Sequence, residues 1–162
     1  MGPLPIDRFI GPNGAVETWV RFDPAGVCEK LPPGAWIGFQ LDGVLARIGQ
    51  EDVFPRTPPL IGDPIPSMIE TAKCLIKEGI EVRIISYRAN REDECQRVRN
   101  WLKYYGLGEL KVTSSLDENM FRLYHNQAIE VVTDEGKSAV QAERDGSAKA
   151  RSPDVPFKVV ED

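Results

Sequence analysis

Residues 36–46 read Trp-Ile-Gly-Phe-Gln-Leu-Asp-Gly-Val-Leu-Ala, WIGFQLDGVLA. How that stretch is parsed decides the fold of the chain. A short apolar run reaches Gln40-Leu41-Asp42-Gly43 and then becomes apolar again. An apolar run bounded by an Asp-Gly turn signal is the pattern of a buried strand followed by a tight turn. Two carboxylates at the end of such a strand would make a site for a metal ion and a phosphoryl group, because hard cations take charged oxygen ligands. Here the second position is acidic, Asp42, and the first is Gln40.

Downstream, a Pro-rich loop gives way to a helical pattern with Pro66 in its first turn and apolar Ile65, Met68, Ile69, Ala72, Leu75 and Ile76. Gly79 is placed to end that helix in a left-handed C-cap. The β-branched run IEVRIIS predicts the second strand. Asn90 can cap a second helix whose face carries Cys95, Val98, Trp101, Leu102 and Tyr105, stopped by Gly106. ELKVT predicts the third strand, Asp117 to Tyr124 a short third helix, and QAIEVVT the fourth strand.

Strands alternating with helices imply right-handed crossovers and a parallel sheet flanked by helices on both faces, an α/β, Rossmann-like architecture. Ligands of such sheets bind beyond the carboxyl ends of the strands. Those ends are expected at Gln40–Asp42, Ser86–Arg88, Thr113–Leu116 and Thr133–Glu135.

On this reading residues 35–134 form the domain. Residues 1–34 form an N-terminal extension with a hairpin, turning at Gly11-Pro12-Asn13-Gly14 before alternating Val16, Thr18, Val20 and Phe22. Residues 135–162 form a C-terminal tail too polar in composition to hold a fixed structure alone. No internal repeat is present.

The 162 residues suffice to bury a core, and 41% hydrophobic with 28% charged residues is ordinary for a globular chain. A net charge of −5 argues against a protein built to neutralise nucleic-acid phosphates. No apolar stretch approaches the roughly 20 residues of a membrane span, and the N-terminus lacks a signal-peptide pattern. Cys28, Cys74 and Cys95 form no Cys-x-x-Cys pair, which fits a reduced, cytoplasmic setting.

From about Ala35 to Val132 the chain resembles the haloacid-dehalogenase-like (HAD) superfamily, and within it the small HAD-like hydrolases of phage and bacterial genomes. The resemblance rests on WIGFQLDGVLA, IGDPIP before the first helix, EGIEVRI, and the block VTSSLD with LYHNQAIEV, in that order. It implies a phosphatase or phosphotransferase fold whose first motif is Asp-x-Asp-Gly-Thr-Leu. The first Asp of that motif attacks phosphorus and ligates magnesium, and the second handles the leaving-group proton. A Ser or Thr after the second strand binds the phosphoryl group. A Lys and further acidic residues complete the site.

Asp42, Gly43, Leu45 and Ser86 match this pattern. Gln40 stands at the nucleophile, Val44 at the Thr, Leu116 before Asp117 at the Lys, and His125-Asn126 at the acidic pair. An amide is a very poor nucleophile, so no acyl-phosphate can form at position 40. The expectation is therefore a remnant site of Gln40, Asp42 and Ser86 without catalytic residues, metal or cofactor. The chain would serve as a structural or protein-interaction component, of a phage particle or another assembly, located in the cytoplasm or in a virion.

Two alternatives stay open. One is a non-catalytic phosphate or nucleotide binder using Ser86 and Arg88. The other is a magnesium-dependent phosphatase of a nucleotide or other phosphomonoester, with Asp42, Asp117 and Asp134 as metal ligands. Plain readings compete at each position: Asp42 as a turn residue, Ser86 as a backbone partner at a strand end, Arg88 as a solvated loop charge, His125 as an isolated histidine. Protein partners or a second copy are expected, with no nucleic acid and no membrane. Phe9, Trp19 and Phe157 are the aromatic anchors expected to hold an end of the chain against a neighbour. Tyr104 points away from the helix core towards a contact surface.

Overall fold

The computed structural model describes residues 4–49 and 58–146. They fall into two compact units, residues 32–126 and residues 4–31 with 127–146. Residues 4–31 of the expected extension and 135–146 of the expected tail fall in one unit, together with residues 127–134.

In the first unit the opening stretch forms β4 (Trp36–Gln40), once β1 (Ile6–Ile10), β2 (Val16–Val20) and β3 (Glu29–Leu31) have been passed. Then follow α1 (Pro66–Lys77), β5 (Glu81–Ile85), a 3-10 turn at Tyr87–Asn90, α2 (Glu92–Tyr104), β6 (Lys111–Thr113) and β7 (Met120–Tyr124). The sheet is four-stranded and parallel, in the order β6-β5-β4-β7. This order is compatible with a Rossmann-like fold, whose direction of winding reverses between the first strand and the fourth. The reversal lies between β4 and β7.

Each helix boundary has a local cause. Pro66 occupies the start of α1, where its missing N–H costs nothing. Glu78 caps the end, and Gly79 turns away at φ 81°. In α2 the acidic Glu92, Asp93 and Glu94 fill the first turn, where the helix dipole favours negative charge. The residue flanking α2 is Arg91 and not Asn90, which is taken up by the preceding 3-10 turn.

β5 and β6 follow their predecessors in the same direction across the sheet, so right-handed connections carry α1 and α2 over one face. That face bears Ile37, Phe39, Val82 and Ile84, all buried, under Ile69, Ala72 and Leu75 of α1 and Cys95, Val98 and Leu102 of α2. The return from β6 to β7 runs the other way and crosses the opposite face.

Two expectations are corrected there. Residues 117–124 do not form a helix: MFRLY is itself the fourth strand, and QAIEVVT contributes only an isolated bridge at Val131. The opposite face is crossed by the short connection 114–119, which contains no helix. The indole of Trp36 fills the place. Register and alternation put Trp36, Gly38 and Arg83 on that face. A Cβ at Gly38 would come within 3.0 Å of the Trp36 ring and 2.8 Å of Leu123, so only glycine leaves room for the indole. Arg83 lies over the ring at 4.5 Å, and Asp117 accepts from Trp36 Nε1 at 2.7 Å and from Arg83 Nη1 at 2.9 Å.

In the second unit, β1, β2 and β3 form an antiparallel sheet in that order. The β1–β2 hairpin turns where the Gly-Pro-Asn-Gly signal placed it, with Gly11 N–H donating to Ala15 C=O at 2.8 Å. β3 lies in a segment without strand signals. Past Asn126, Val131 pairs with Ser138 across a turn with Asp134 at φ 63°, and α3 (Ala139–Arg144) starts at Ser138, whose Oγ accepts from Gln141 N–H. The composition of this stretch concealed a capped helix.

Candidate functional site

Three loops meet at the carboxyl edge of the parallel sheet. The first follows β4. Leu41 N–H donates to Ile85 C=O at 3.2 Å, and Leu41 C=O accepts from Leu45 and Ala46 at 3.0 and 2.9 Å. Gly43 has φ 94°, a value that favours glycine, and Asn126 packs against it so closely that a Cβ would lie 2.5 Å from Asn126 Nδ2. The second loop is the 3-10 turn after β5. The third is His125-Asn126 after β7.

Gln40 is the side chain that joins the first loop to the third. Its Oε1 accepts from Asn126 N–H at 3.2 Å. The amide standing at the implied nucleophile is therefore a hydrogen-bond acceptor for the neighbouring strand end.

Asp42 turns the other way, towards the second loop. Arg88 Nε–H and Nη2–H donate to Asp42 Oδ2 and Oδ1 at 2.9 and 3.0 Å. Such a two-pronged pair is the strongest form of carboxylate recognition by a side chain. Arg88 Nη1 donates to Glu94 Oε1 at 2.7 Å, and the other Glu94 oxygen lies 3.2 Å from Arg97 Nε.

Exposure separates the members of this network: 1% for the Arg88 side chain, 0% for Glu94, 16% for Asp42 and 53% for Arg97. Burial opposes the charge of the Arg88 guanidinium, but the hydrogen bonds to Asp42 and Glu94 outweigh it and hold its pKa above the ordinary value.

Arg88 is thus corrected from a solvated loop charge to the buried centre of an ion network, whose anions are the chain's own carboxylates. Ser86 is buried, and its Oγ accepts from Arg88 N–H at 3.1 Å. It caps the turn that presents Arg88, which is the plain structural role. The two candidate anion binders are adjacent, and both are engaged internally.

Of the alternative metal set, Asp42 and Asp117 are not brought together. Asp42 lies at the carboxyl edge. Asp117 lies on the sheet face that carries Trp36, bonded to that residue, the first of β4, and to Arg83. Its hydrogen bonds from the Trp36 indole and the Asn119 N–H, with Arg83 alongside, hold its carboxyl below the ordinary pKa. Asp134 belongs to the second unit. Among the described residues no group of three or more His, Cys, Asp or Glu is placed to hold a metal ion.

Among the interaction candidates, Tyr104 is 81% exposed at the end of α2, edge-on to Tyr105 at 4.9 Å, while Trp101 Nε1 donates to Gly62 C=O at 3.0 Å. Trp19 is corrected: only 4% of it is exposed, which leaves little to offer a partner. Phe9 is half-buried in β1, and Phe157 lies outside the described residues. Leu116, at the implied lysine, is exposed.

Sequence reasoning missed Glu94. Its signal was legible: Glu94, Val98 and Leu102 recur at helical spacing, so the acid sits on the core stripe of α2 and needs a buried cation.

No protein-family model, curated protein or solved structure matches the chain. Among the described residues no helix is long and apolar enough to cross a membrane.

Proposed function

We propose that this chain is a catalytically inactive HAD-like domain that serves as a structural or protein-interaction component. The observation that carries this reading is the state of Asp42. Both its oxygens are held by one buried guanidinium. A carboxylate that must give and take a proton during phosphoryl transfer has to be free to do so. Gln40 supports the same reading, because its amide supplies neither a nucleophile nor a charged metal ligand. Tyr104, exposed at the end of α2, is the side chain this reading assigns to a protein contact.

The test is hydrolysis of p-nitrophenyl phosphate and of nucleoside monophosphates by the purified chain with magnesium. No turnover above that of the Asp42→Ala variant is expected. Magnesium-dependent turnover lost in Asp42→Ala would overturn the reading. The interaction role is read separately, by the mass of the protein in solution and its change in Tyr104→Ser.

A further inference from the structure

Arg88 holds Asp42 in the way arginine recognises a free carboxylate, two donors of one planar fork on the two oxygens of one group. The fork is fixed independently of the group it holds. Its backbone N–H is capped by Ser86 at 3.1 Å, and its Nη1 is anchored on Glu94 at 2.7 Å. The loop that carries Asp42 is in turn closed by its own backbone, with Gly43 N–H donating to Ala46 C=O at 2.7 Å and Leu45 and Ala46 donating to Leu41 C=O. It keeps its shape without the carboxylate. The Asp42 side chain retains 16% exposure where Arg88 has 1%, so the place of the carboxylate is reachable from solvent while the cation behind it is covered.

We infer that Arg88 is an oxyanion receptor held shut by a tethered ligand, the Asp42 carboxylate, and that it takes a free carboxylate or phosphate once that ligand is removed. The inference rests on the reading of the crevice as catalytically inactive, since a working site would need Asp42 unbound. In the unaltered chain a dissolved anion competes against a carboxylate that is always at hand, at high effective concentration. Truncating Asp42 to alanine removes that competitor and vacates two donors on a buried cation. Leaving them empty is costly, and an incoming anion relieves the cost.

The experiment compares thermal unfolding of the unaltered chain, Asp42→Ala, and Asp42→Ala with Arg88→Met. Each is measured in formate, in inorganic phosphate, and in chloride at equal ionic strength. Asp42→Ala should melt below the unaltered chain and recover, with saturation, as formate or phosphate rises. The unaltered chain and the double variant report the general, non-saturating response to each anion, and the gain of Asp42→Ala is read above it. If Asp42→Ala does not fold in chloride, the same anions should restore folded protein in refolding and fail to do so in the double variant. A larger effect of formate than of phosphate identifies a carboxylate site, and the reverse a phosphate site. An Asp42→Ala chain that gains nothing above that general response, or whose gain survives Arg88→Met, overturns the inference. Phosphatase turnover by the unaltered chain overturns the functional reading instead, and it is measured separately.

Discussion

Replacing Arg88 by methionine tests the carboxyl-edge network directly. The substitution keeps most of the aliphatic stem and removes the charge, so packing is largely conserved and the electrostatics are not. Breaking a buried ion pair by removing one partner costs about 3–5 kcal/mol, because a charge is left buried without compensation. Here two carboxylates lose a partner, but neither is wholly stranded. Asp42 is 16% exposed and can turn to water, and Glu94 keeps Arg97 on its second oxygen. The loss should therefore fall near the lower end, about 3 kcal/mol. For a chain of this length that corresponds to a melting temperature lower by roughly 6–12 °C.

Equilibrium unfolding in urea, followed by the fluorescence of Trp36 and Trp101, measures it. Adding Glu94→Leu, beside Val98 and Leu102, should recover most of the loss, since a buried pair replaced by apolar groups is nearly neutral where half a pair is not. A loss below about 1 kcal/mol in Arg88→Met, the range of an exposed pair, would refute the reasoning. So would a Glu94→Leu addition that deepens the loss.

Gly38→Ala should destabilise by about 1–3 kcal/mol through overpacking against Trp36 and Leu123, read as a shift in the urea midpoint. Gln40→Asp alone should yield no magnesium-dependent phosphatase activity, because Asp42 remains clamped by Arg88 and such sites act as units; turnover in that single variant counts against the assignment of the crevice. Asp117 is held below its ordinary pKa in the folded chain, first by the Trp36 hydrogen bond. The folded state then binds fewer protons there than the unfolded one. Its contribution is present above the unfolded pKa and is lost as pH falls through the folded pKa. Asp117→Asn should accordingly flatten the acid limb of stability against pH, and an unchanged limb would contradict the assigned contacts.

Much of the fold was legible because hydrophobic period and turn chemistry agreed. WIGFQ before Asp-Gly, Pro66 and Gly79 around α1, and the Gly-Pro-Asn-Gly hairpin each carry a local physical cause. The fourth strand was not legible, because MFRLY and QAIEVVT both read as apolar segments and the choice is tertiary. What favours MFRLY is Tyr124 stacking on Phe39 at 4.5 Å, and Trp36 N–H reaching Asn119 C=O at 3.0 Å. That shift moved the end of the strand from Thr133 to Tyr124. Gln40, Asp42 and Ser86 were placed near one another by topology alone, since all lie at carboxyl ends of parallel strands, whereas Asn126 joins them only because the fourth strand ends at Tyr124. Which of them touch was beyond reach, because Arg88 reads as an exposed loop charge until its burial is known, and the spacing that puts Glu94 on the core stripe of α2 does not name its partner.

The network also explains how a carboxylate at the sheet edge stays charged without a metal ion. A lone Asp42 at a strand end, without compensation, would favour any cation that could reach it. Arg88 supplies that compensation from the chain itself, with donors directed at both oxygens. A divalent ion seeking Asp42 would have to displace a guanidinium that is 1% exposed and would then retain only Glu94. The displacement costs the solvation of a buried cation, and Gln40 offers the ion just one neutral oxygen in return, already accepting from Asn126 N–H. Building a metal site there therefore requires removing Arg88 as well as adding a carboxylate at position 40. Because Arg88 ties the β4 loop to the first turn of α2, each such step works against the stability of the sheet edge that would have to hold the metal.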